Sequence, residues 1–467
     1  MADHTEDDAC IETLAEPFRI KTVERIRLPN RAEREEILAR AFYSVAYLDS
    51  ADVFIDLATD SGTGAMSDVQ WAAMMRGDEA YIRSRSFFAL ESAVQEITGY
   101  PHVIPTHQGR AAENILMNLL VAPGQMVLSN AHFDTTRAHV EHRKATPIDL
   151  VGDWLWRYDE QHPFKGNFDL ERLAAALERY HERVPFVLIT ILNNVACSSP
   201  VSMENIRGVK ALADRYSIPV YFDACRMAEN AYFIKTREPG YAKKSVAEIV
   251  REMLSYGSGC WMSAKKDAIV NIGGFLALRD EQLARRCQEQ LVLYEGFPSY
   301  GGLARRDLEA MAVGLREGLD EDYLSHRVRL VAHLGDSLAR NAGVAISQPV
   351  GGSGVFVDVA SLYPHLAPEQ LPGIALACDT YLEGAVRVGA ITFHMNRVDA
   401  ATGDIVEKMF QFARFAVPRR VYTRSHIEYV ADVIRRVKQR AHLNRGYRVV
   451  YVPEVLGHFF AKFEPLS

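Results

Sequence analysis

Cysteine is scarce in this chain and carries no pattern. Six residues (Cys10, Cys197, Cys225, Cys260, Cys287 and Cys378) are scattered through 467 with no Cys-x-x-Cys pair, which argues against a disulfide framework and a zinc ribbon and fits free thiols in a reducing compartment. A cytoplasmic location is expected. No apolar run is long enough to span a bilayer, so no membrane partner is expected. Nor is there a Lys/Arg-dense patch with interleaved aromatics; 53 basic against 60 acidic side chains leave a net charge of -7, and nucleic acid is not an expected partner. The first residues carry Asp3, Glu6, Asp7 and Asp8 where a signal peptide would be basic. Internal repeats and low-complexity segments are missing. Gly351-Gly352-Ser353-Gly354 lacks the spacing of a dinucleotide fingerprint. His132, His139 and His142 lack the helical histidine and carboxylate motif of a zinc site, which favours hydrogen-bonding or solvated roles.

What the chain does have is enough apolar residue, 48% against 24% charged, to bury a large core in two domains. Residues 1–20 read as a frayed tail. Arg31 to Tyr47 has helical spacing of apolar positions, and Val53 to Leu57 reads as a short buried strand. Phe186 to Leu192 and Ile218 to Phe222 are continuous β-branched and apolar runs, as strands buried on both faces require. Between them Ser202 opens a helix. Strand, helix and strand in this order predict a parallel unit, whose ligands bind at the carboxyl ends of the strands. Asn194 and Asp223 fall there. Leu308 to Leu334 is helical by periodicity, and the later helices and short strands predict a smaller second domain.

Several polar segments carry candidate chemistry. Thr59-Asp60-Ser61-Gly62-Thr63-Gly64 is a glycine-rich loop that suits an ion as well as a plain turn. In Thr106-His107-Gln108-Gly109-Arg110, the glycine and arginine precede an apolar helix, whose free N–H groups and dipole suit a phosphate. Phe133 before Asp134 is an aromatic face beside a carboxylate, or simply core. Trp261 to Asp267 ends in the pair Lys265-Lys266. Taken alone this is two exposed lysines; beside a carbonyl cofactor, a lysine with a second cation next to it is a Schiff-base partner. Asp223 followed by Arg226 reads alone as an ion pair. Yet an aspartate about forty residues before a strand-following lysine is the pattern that pyridoxal phosphate requires: a carboxylate keeps the pyridinium nitrogen protonated, and an arginine can hold the phenolic oxygen as an anion.

With these segments assembled, and with Met75 to Tyr81, Asp223 to Ile234, Glu295 to Gly302, Pro418 to Thr423 and the region of His458 added, the chain resembles the aromatic amino-acid β-eliminating lyases, the tryptophan indole-lyases and tyrosine phenol-lyases, over nearly its whole length. The resemblance implies a fold-type I pyridoxal phosphate enzyme of α/β class, with a mainly parallel sheet in the large domain and a smaller α+β domain. It implies an N-terminal arm and part of the small domain in residues 1–55, the cofactor domain in 56–320 and the rest of the small domain in 321–467. A homotetramer built from dimers is expected, with active sites between subunits.

Carried over residue by residue, Lys266 becomes the Schiff-base lysine, and Gln108, Gly109, Arg110, Ser263 and Lys265 hold the phosphate, with Tyr300 reaching it from a neighbouring subunit. Phe133 stacks on the pyridine ring and Asp223 pairs with its nitrogen. Thr59, Ser61, Asn194 and Arg414 match positions that hold the substrate carboxylate. The family's potassium ion maps to the Gly62 and Asn271 carbonyls with the Glu79 carboxylate. Where the family has Gly-Gly-Gln-Pro after the substrate asparagine, this chain has Cys197-Ser198-Ser199-Pro200.

The implied reaction is β-elimination of L-tryptophan to indole, pyruvate and ammonia. Lys266 removes the α-proton, Tyr81 is a candidate acid for the leaving group, and Asp134 with His458 binds the indole nitrogen. His458 also reads as a C-terminal packing residue. Phenol-lyases resemble one another in an arginine at a small-domain position where this chain has Ile391 at or near it, which favours tryptophan. Tyrosine or a smaller substrate such as an S-alkylcysteine is the alternative activity, and a cofactor-binding scaffold without turnover the alternative class.

Overall fold

Eleven short runs become the strands of two sheets: β1 (Ile55–Leu57), β2 (His102–Thr106), β3 (Met126–Ser129), β4 (Thr146–Asp149), β5 (Val187–Thr190), β6 (Val220–Asp223), β7 (Gly259–Ser263), β8 (Gly274–Leu278), β9 (Gly354–Asp358), β10 (Val386–Val398) and β11 (Ile405–Ala416). The computed structural model describes residues 15–398, 404–453 and 457–467; the acidic start and most of the expected tail lie outside them.

The larger sheet has the order β2-β8-β7-β6-β5-β3-β4. Its pairs from β7 to β4 are parallel, and β8 runs antiparallel to both neighbours. All residues of β3, β5, β6, β7 and β8 are buried, as expected of strands covered on both faces. The helix Met203–Asp214 joins β5 to β6, and the Ser202 hydroxyl accepts the Asn205 N–H at 3.1 Å to cap it. A second sheet, β1-β10-β11-β9, is antiparallel except at β1. It packs with the helices Arg31–Arg40, Pro372–Gly384 and Arg424–Arg440 around a separate apolar core. The α/β class with a mainly parallel sheet and a smaller α+β part is therefore the one found. None of the described helices is long and apolar enough to cross a membrane.

Three local expectations need correction. The helix expected over Arg31 to Tyr47 stops at Arg40, because Phe42 and Tyr43 take left-handed φ of 53° and 51°, which no continuing helix allows. Leu308 to Leu334 is two helices, Arg305–Glu317 and Glu321–Asp336. Gly318 ends the first, where a Cβ would sit 2.0 Å from the Asp267 carbonyl; the chain turns after it, and Asp320 opens the second helix by accepting the Tyr323 N–H at 2.8 Å. The run from Phe186 to Leu192 is a strand only over Val187–Thr190, since Leu192 turns at φ 50° to begin a tight loop.

Candidate active site

A cavity of about 430 Å³ opens where β5, β6 and β7 end and where β10 and β11 of the second sheet face them. Thr190, Asp223 and Ser263 end their strands at its wall. Lys266 comes from the turn after β7, and its ammonium lies 6.0 Å from the centre of the Phe133 ring. The side chain is buried, with 7% of its surface exposed, so the reading of Lys265-Lys266 as two exposed lysines does not hold.

The helix Gly109–Leu120 starts against the end of β7. A Cβ at Gly109 would lie 2.8 Å from the Ser263 backbone nitrogen and Cβ, so only glycine lets the first free N–H groups come this close. Gln108 precedes the helix, and its side-chain oxygen accepts from the Lys265 ammonium at 3.5 Å. Burial lowers the Lys265 pKa, and the Lys266 and Arg110 charges lower it further. Among the described residues no carboxylate forms an ion pair with Lys265, Lys266 or Arg110. Asp223 shows the converse. It is buried, accepts the Cys225 N–H at 3.2 Å, and has no ion-paired cation among the described residues. A cofactor carrying a phosphate and a protonated ring nitrogen fits this donor set at both points.

Arg226 reaches the cavity already paired. Its Nε and Nη2 donate to the two Asp60 oxygens at 3.0 and 2.8 Å. Arg419 donates to Asp60 at 3.0 Å, to Glu229 at 2.7 Å and to Asp267 at 2.9 Å, while Arg327 donates to Glu229 at 3.0 Å. All six side chains are buried, and their charges balance. This network ties the loop of Thr59 and Ser61 to Asp267, the neighbour of Lys266. The Gly62 N–H also donates to the Lys265 carbonyl at 2.8 Å. Burial works against charge at Asp60, yet Arg226 and Arg419 hold its carboxyl well below the usual range. At Asp267 burial and Glu229 prevail over Arg419 and push the carboxyl up to about 6.

Asn194 lies on the wall in the loop after β5, and Arg414 faces the cavity from β11. The Arg414 Nη2 donates to the Ala58 carbonyl at 2.8 Å, and its buried Nε has no hydrogen-bond partner among the described residues. Beside Asn194, Cys197 and Ser198 both hold φ of 53°, a left-handed backbone that costs a non-glycine residue about 1 kcal/mol or more.

Asp134 and Ile391 also line the cavity, with Val45, Ala46 and Phe459 adding apolar wall. His458 falls in the short turn Gly457–Phe459, but its side chain lies outside the described residues. Tyr81 and Tyr300 are not in the cavity wall. Their hydroxyls meet each other at 3.3 Å, and Tyr81 is 61% exposed, so this chain's own fold does not bring either to Lys266. Gly62 and Asn271 adjoin, since the Asn271 amide donates to the Gly62 carbonyl at 3.0 Å. Glu79 is exposed on the segment after the helix Asp68–Arg76.

Sequence reasoning missed three residues here. Asp60 lies inside the loop Thr59 to Gly64, but its partner Arg226 is 166 residues away. Glu113 is buried on the cavity wall, accepting from the Thr135 hydroxyl at 2.8 Å; burial first and then Asp223 push it up to about 8. Arg387 shares a face of β10 with Ile391 through the strand's alternation. It is bound to the Asp56 carboxylate and donates to the Leu48 carbonyl at 2.9 Å.

Fold and site together define the class: a fold-type I α/β enzyme whose pocket, at the carboxyl ends of a mainly parallel sheet, centres on a buried lysine. The chain belongs to the β-eliminating lyase family, whose model matches residues 56–433. It is 50% identical to a tryptophanase of Salinibacter ruber over 97% of this chain and 96% of that one. It is 48% identical to a tyrosine phenol-lyase of Intrasporangium calvum, again over 97% and 96%. Among solved structures a Sphingomonas wittichii serine palmitoyltransferase aligns with a TM-score of 0.53 at 15% identity, covering 88% of this chain and 97% of that one, a likeness of fold alone.

Proposed function

We propose that this protein is a pyridoxal phosphate-dependent carbon–carbon lyase that converts L-tryptophan and water to indole, pyruvate and ammonia. The observation that carries the reading is one cavity in which, among the described residues, a buried Asp223 has no ion-paired cation, Arg110 and Lys265 have no ion-paired anion, and Lys266 is buried in the wall beside them. Pyridoxal phosphate bound there supplies an electron sink for the negative charge that forms at the substrate's α-carbon. Gln108, Gly109, Arg110, Ser263 and Lys265 would hold its phosphate, Asp223 its ring nitrogen and Phe133 its face. Arg226, kept in place by Asp60, would neutralise its phenolic oxygen.

The chain's own groups do the rest. Lys266 would be the residue that carries the cofactor and the base that takes the α-proton. Thr59, Ser61, Asn194 and Arg414 bind the substrate carboxylate. Asp134 and His458 take the indole N–H. Tyr81 and Tyr300, which stand outside the cavity of their own chain, would act in that of a neighbouring copy, an arrangement that a homotetramer of paired subunits would supply; we read the enzyme as cytoplasmic. A potassium ion on the Gly62 and Asn271 carbonyls, with Glu79 supplied across that contact, would brace the Lys265 segment; equal activity in sodium and potassium chloride would argue against it.

Elimination from tyrosine is the second reading, favoured by the relatives named phenol-lyases and by Arg387 on the cavity face. Its guanidinium is already matched by Asp56, which favours tryptophan. Pyruvate release from L-tryptophan, L-tyrosine, S-methylcysteine and serine decides between them. We expect the highest kcat/KM among aromatic substrates with tryptophan; no pyruvate from any of the four would overturn the lyase reading.

A further inference from the structure

We propose that the hydroxyls of Ser198 and Ser353 form a positioning pair that fixes which end of the Asn194 amide faces the cavity, and so makes this wall select an anionic oxygen. The proposal rests on the amino-acid lyase reading above, in which that oxygen belongs to the α-carboxylate.

The three side chains are buried, the two serines completely. Ser198 Oγ lies 3.3 Å and Ser353 Oγ 3.5 Å from the Asn194 side-chain oxygen, and the two hydroxyls are 2.5 Å from each other. Counting protons decides the orientation. Two hydroxyls carry two protons, and one is used between the serines. The other needs an acceptor, and the Asn194 carbonyl oxygen is the one within reach among the described residues. With the amide reversed, an N–H would face the pair and one hydroxyl proton would be left buried without an acceptor, at the full desolvation penalty. The pair therefore holds the oxygen inward and leaves the amide's N–H groups for the cavity, where they can donate to an anion and not accept from a cation.

The backbone carries the same message. Ser198 sits at φ 53°, a conformation that relaxes with glycine, so a side chain is retained there against a conformational cost. Its hydroxyl is the part of that side chain with a task. Ser353 comes from the other side, in the loop that enters β9, where its carbonyl accepts from Arg327 at 3.4 Å and from the Val417 N–H at 3.0 Å. The Gly352 N–H donates to the Ser198 carbonyl at 3.1 Å. The amide is thus oriented by a contact between the segment after β5 and the segment before β9, and depends on the two sheets being engaged.

The test uses the cofactor-loaded enzyme and L-alanine, an amino acid with no β-leaving group, whose binding is read as a dissociation constant by absorbance. Ser198→Gly should keep or raise the melting temperature, because it relaxes the backbone, yet weaken L-alanine about 10-fold through a poorly oriented charge-assisted hydrogen bond. L-Alanine methyl ester, which lacks the anionic oxygen, should bind wild type and variant alike. Ser353→Ala should weaken L-alanine similarly, and the double variant no further, since the pair acts as a unit. Unchanged L-alanine affinity in Ser198→Gly, or a loss shared equally by the ester, would overturn the positioning role while the lyase reading stands. A wild-type enzyme that bound no L-alanine at all would overturn both.

Discussion

Asp60 and Arg226 meet through two parallel hydrogen bonds of 2.8 and 3.0 Å, from side chains that are 1% and 4% exposed. The geometry is the bidentate fork that guanidinium and carboxylate form best. It gives Arg226 one orientation before any ligand arrives.

Removing one member of a buried pair strands the other. Asp60→Asn should therefore cost about 3–5 kcal/mol, since Arg226 and Arg419 both lose a charge partner. The sign with pH follows. Asp60 is held below its ordinary value, so its contribution is present at neutral pH and is lost as pH falls through the depressed value. Urea unfolding of wild type and variant should show a constant gap from pH 7 down to about pH 4 and a narrowing one only below that.

Glu113 has the opposite sense. Its carboxyl is raised from an ordinary value of 4.5 to about 8 by burial and by Asp223. The folded state keeps the proton longer than the unfolded one, so this contribution is complete below about 4.5 and declines as pH rises toward about 8. In the cofactor-free protein, Glu113→Gln should flatten the loss of melting temperature from pH 5 to pH 8. A parallel decline in wild type and variant would remove Glu113 as its source.

Gly109 tests the phosphate cradle. A methyl group there would collide at 2.8 Å with the end of β7. Gly109→Ala should lower pyridoxal phosphate affinity at least about 10-fold, because the helix N-terminus can no longer approach the anion. Reconstitution titrations followed by absorbance would measure it; unaltered affinity would move the phosphate elsewhere.

The parts of the fold legible in the sequence were those set by local pattern. Buried strands announced β5 and β6 as apolar runs, Ser202 announced its helix, and Gly109 with Arg110 announced a helix start. The Lys265-Lys266 pair is local in the same way, two adjacent lysines on the turn after β7. What was not legible depended on distant partners. Nothing near Arg226 points to Asp60, and nothing in the helix around Glu113 says that it ends beside Asp223. That position 318 must be glycine depends on the Asp267 carbonyl, which lies where a Cβ would sit, and the left-handed turn at Phe42 and Tyr43 sets Tyr43 against the second core. Tyr81 and Tyr300 illustrate the remaining limit, since a chain folded alone places them together on its surface, outside its own cavity.

On the proposed reading, substrate choice would turn on Asp134, which lines the cavity. As the indole N–H acceptor it should matter for tryptophan and not for a small substrate with a good leaving group. Asp134→Ala should reduce kcat/KM for tryptophan about 100-fold and leave S-methylcysteine nearly unaffected. Equal losses on both would assign Asp134 to the fold or the cofactor instead.

Everything proposed for this site depends on Lys266 carrying the cofactor, which peptide mapping after borohydride reduction can locate. Borohydride fixes an imine between a lysine and a carbonyl as a stable amine. With the yellow, cofactor-loaded protein, the modified peptide should contain Lys266 as its labelled residue and Lys266→Ala should yield none; label on Lys265, on another lysine, or nowhere in the wild-type protein would overturn the assignment.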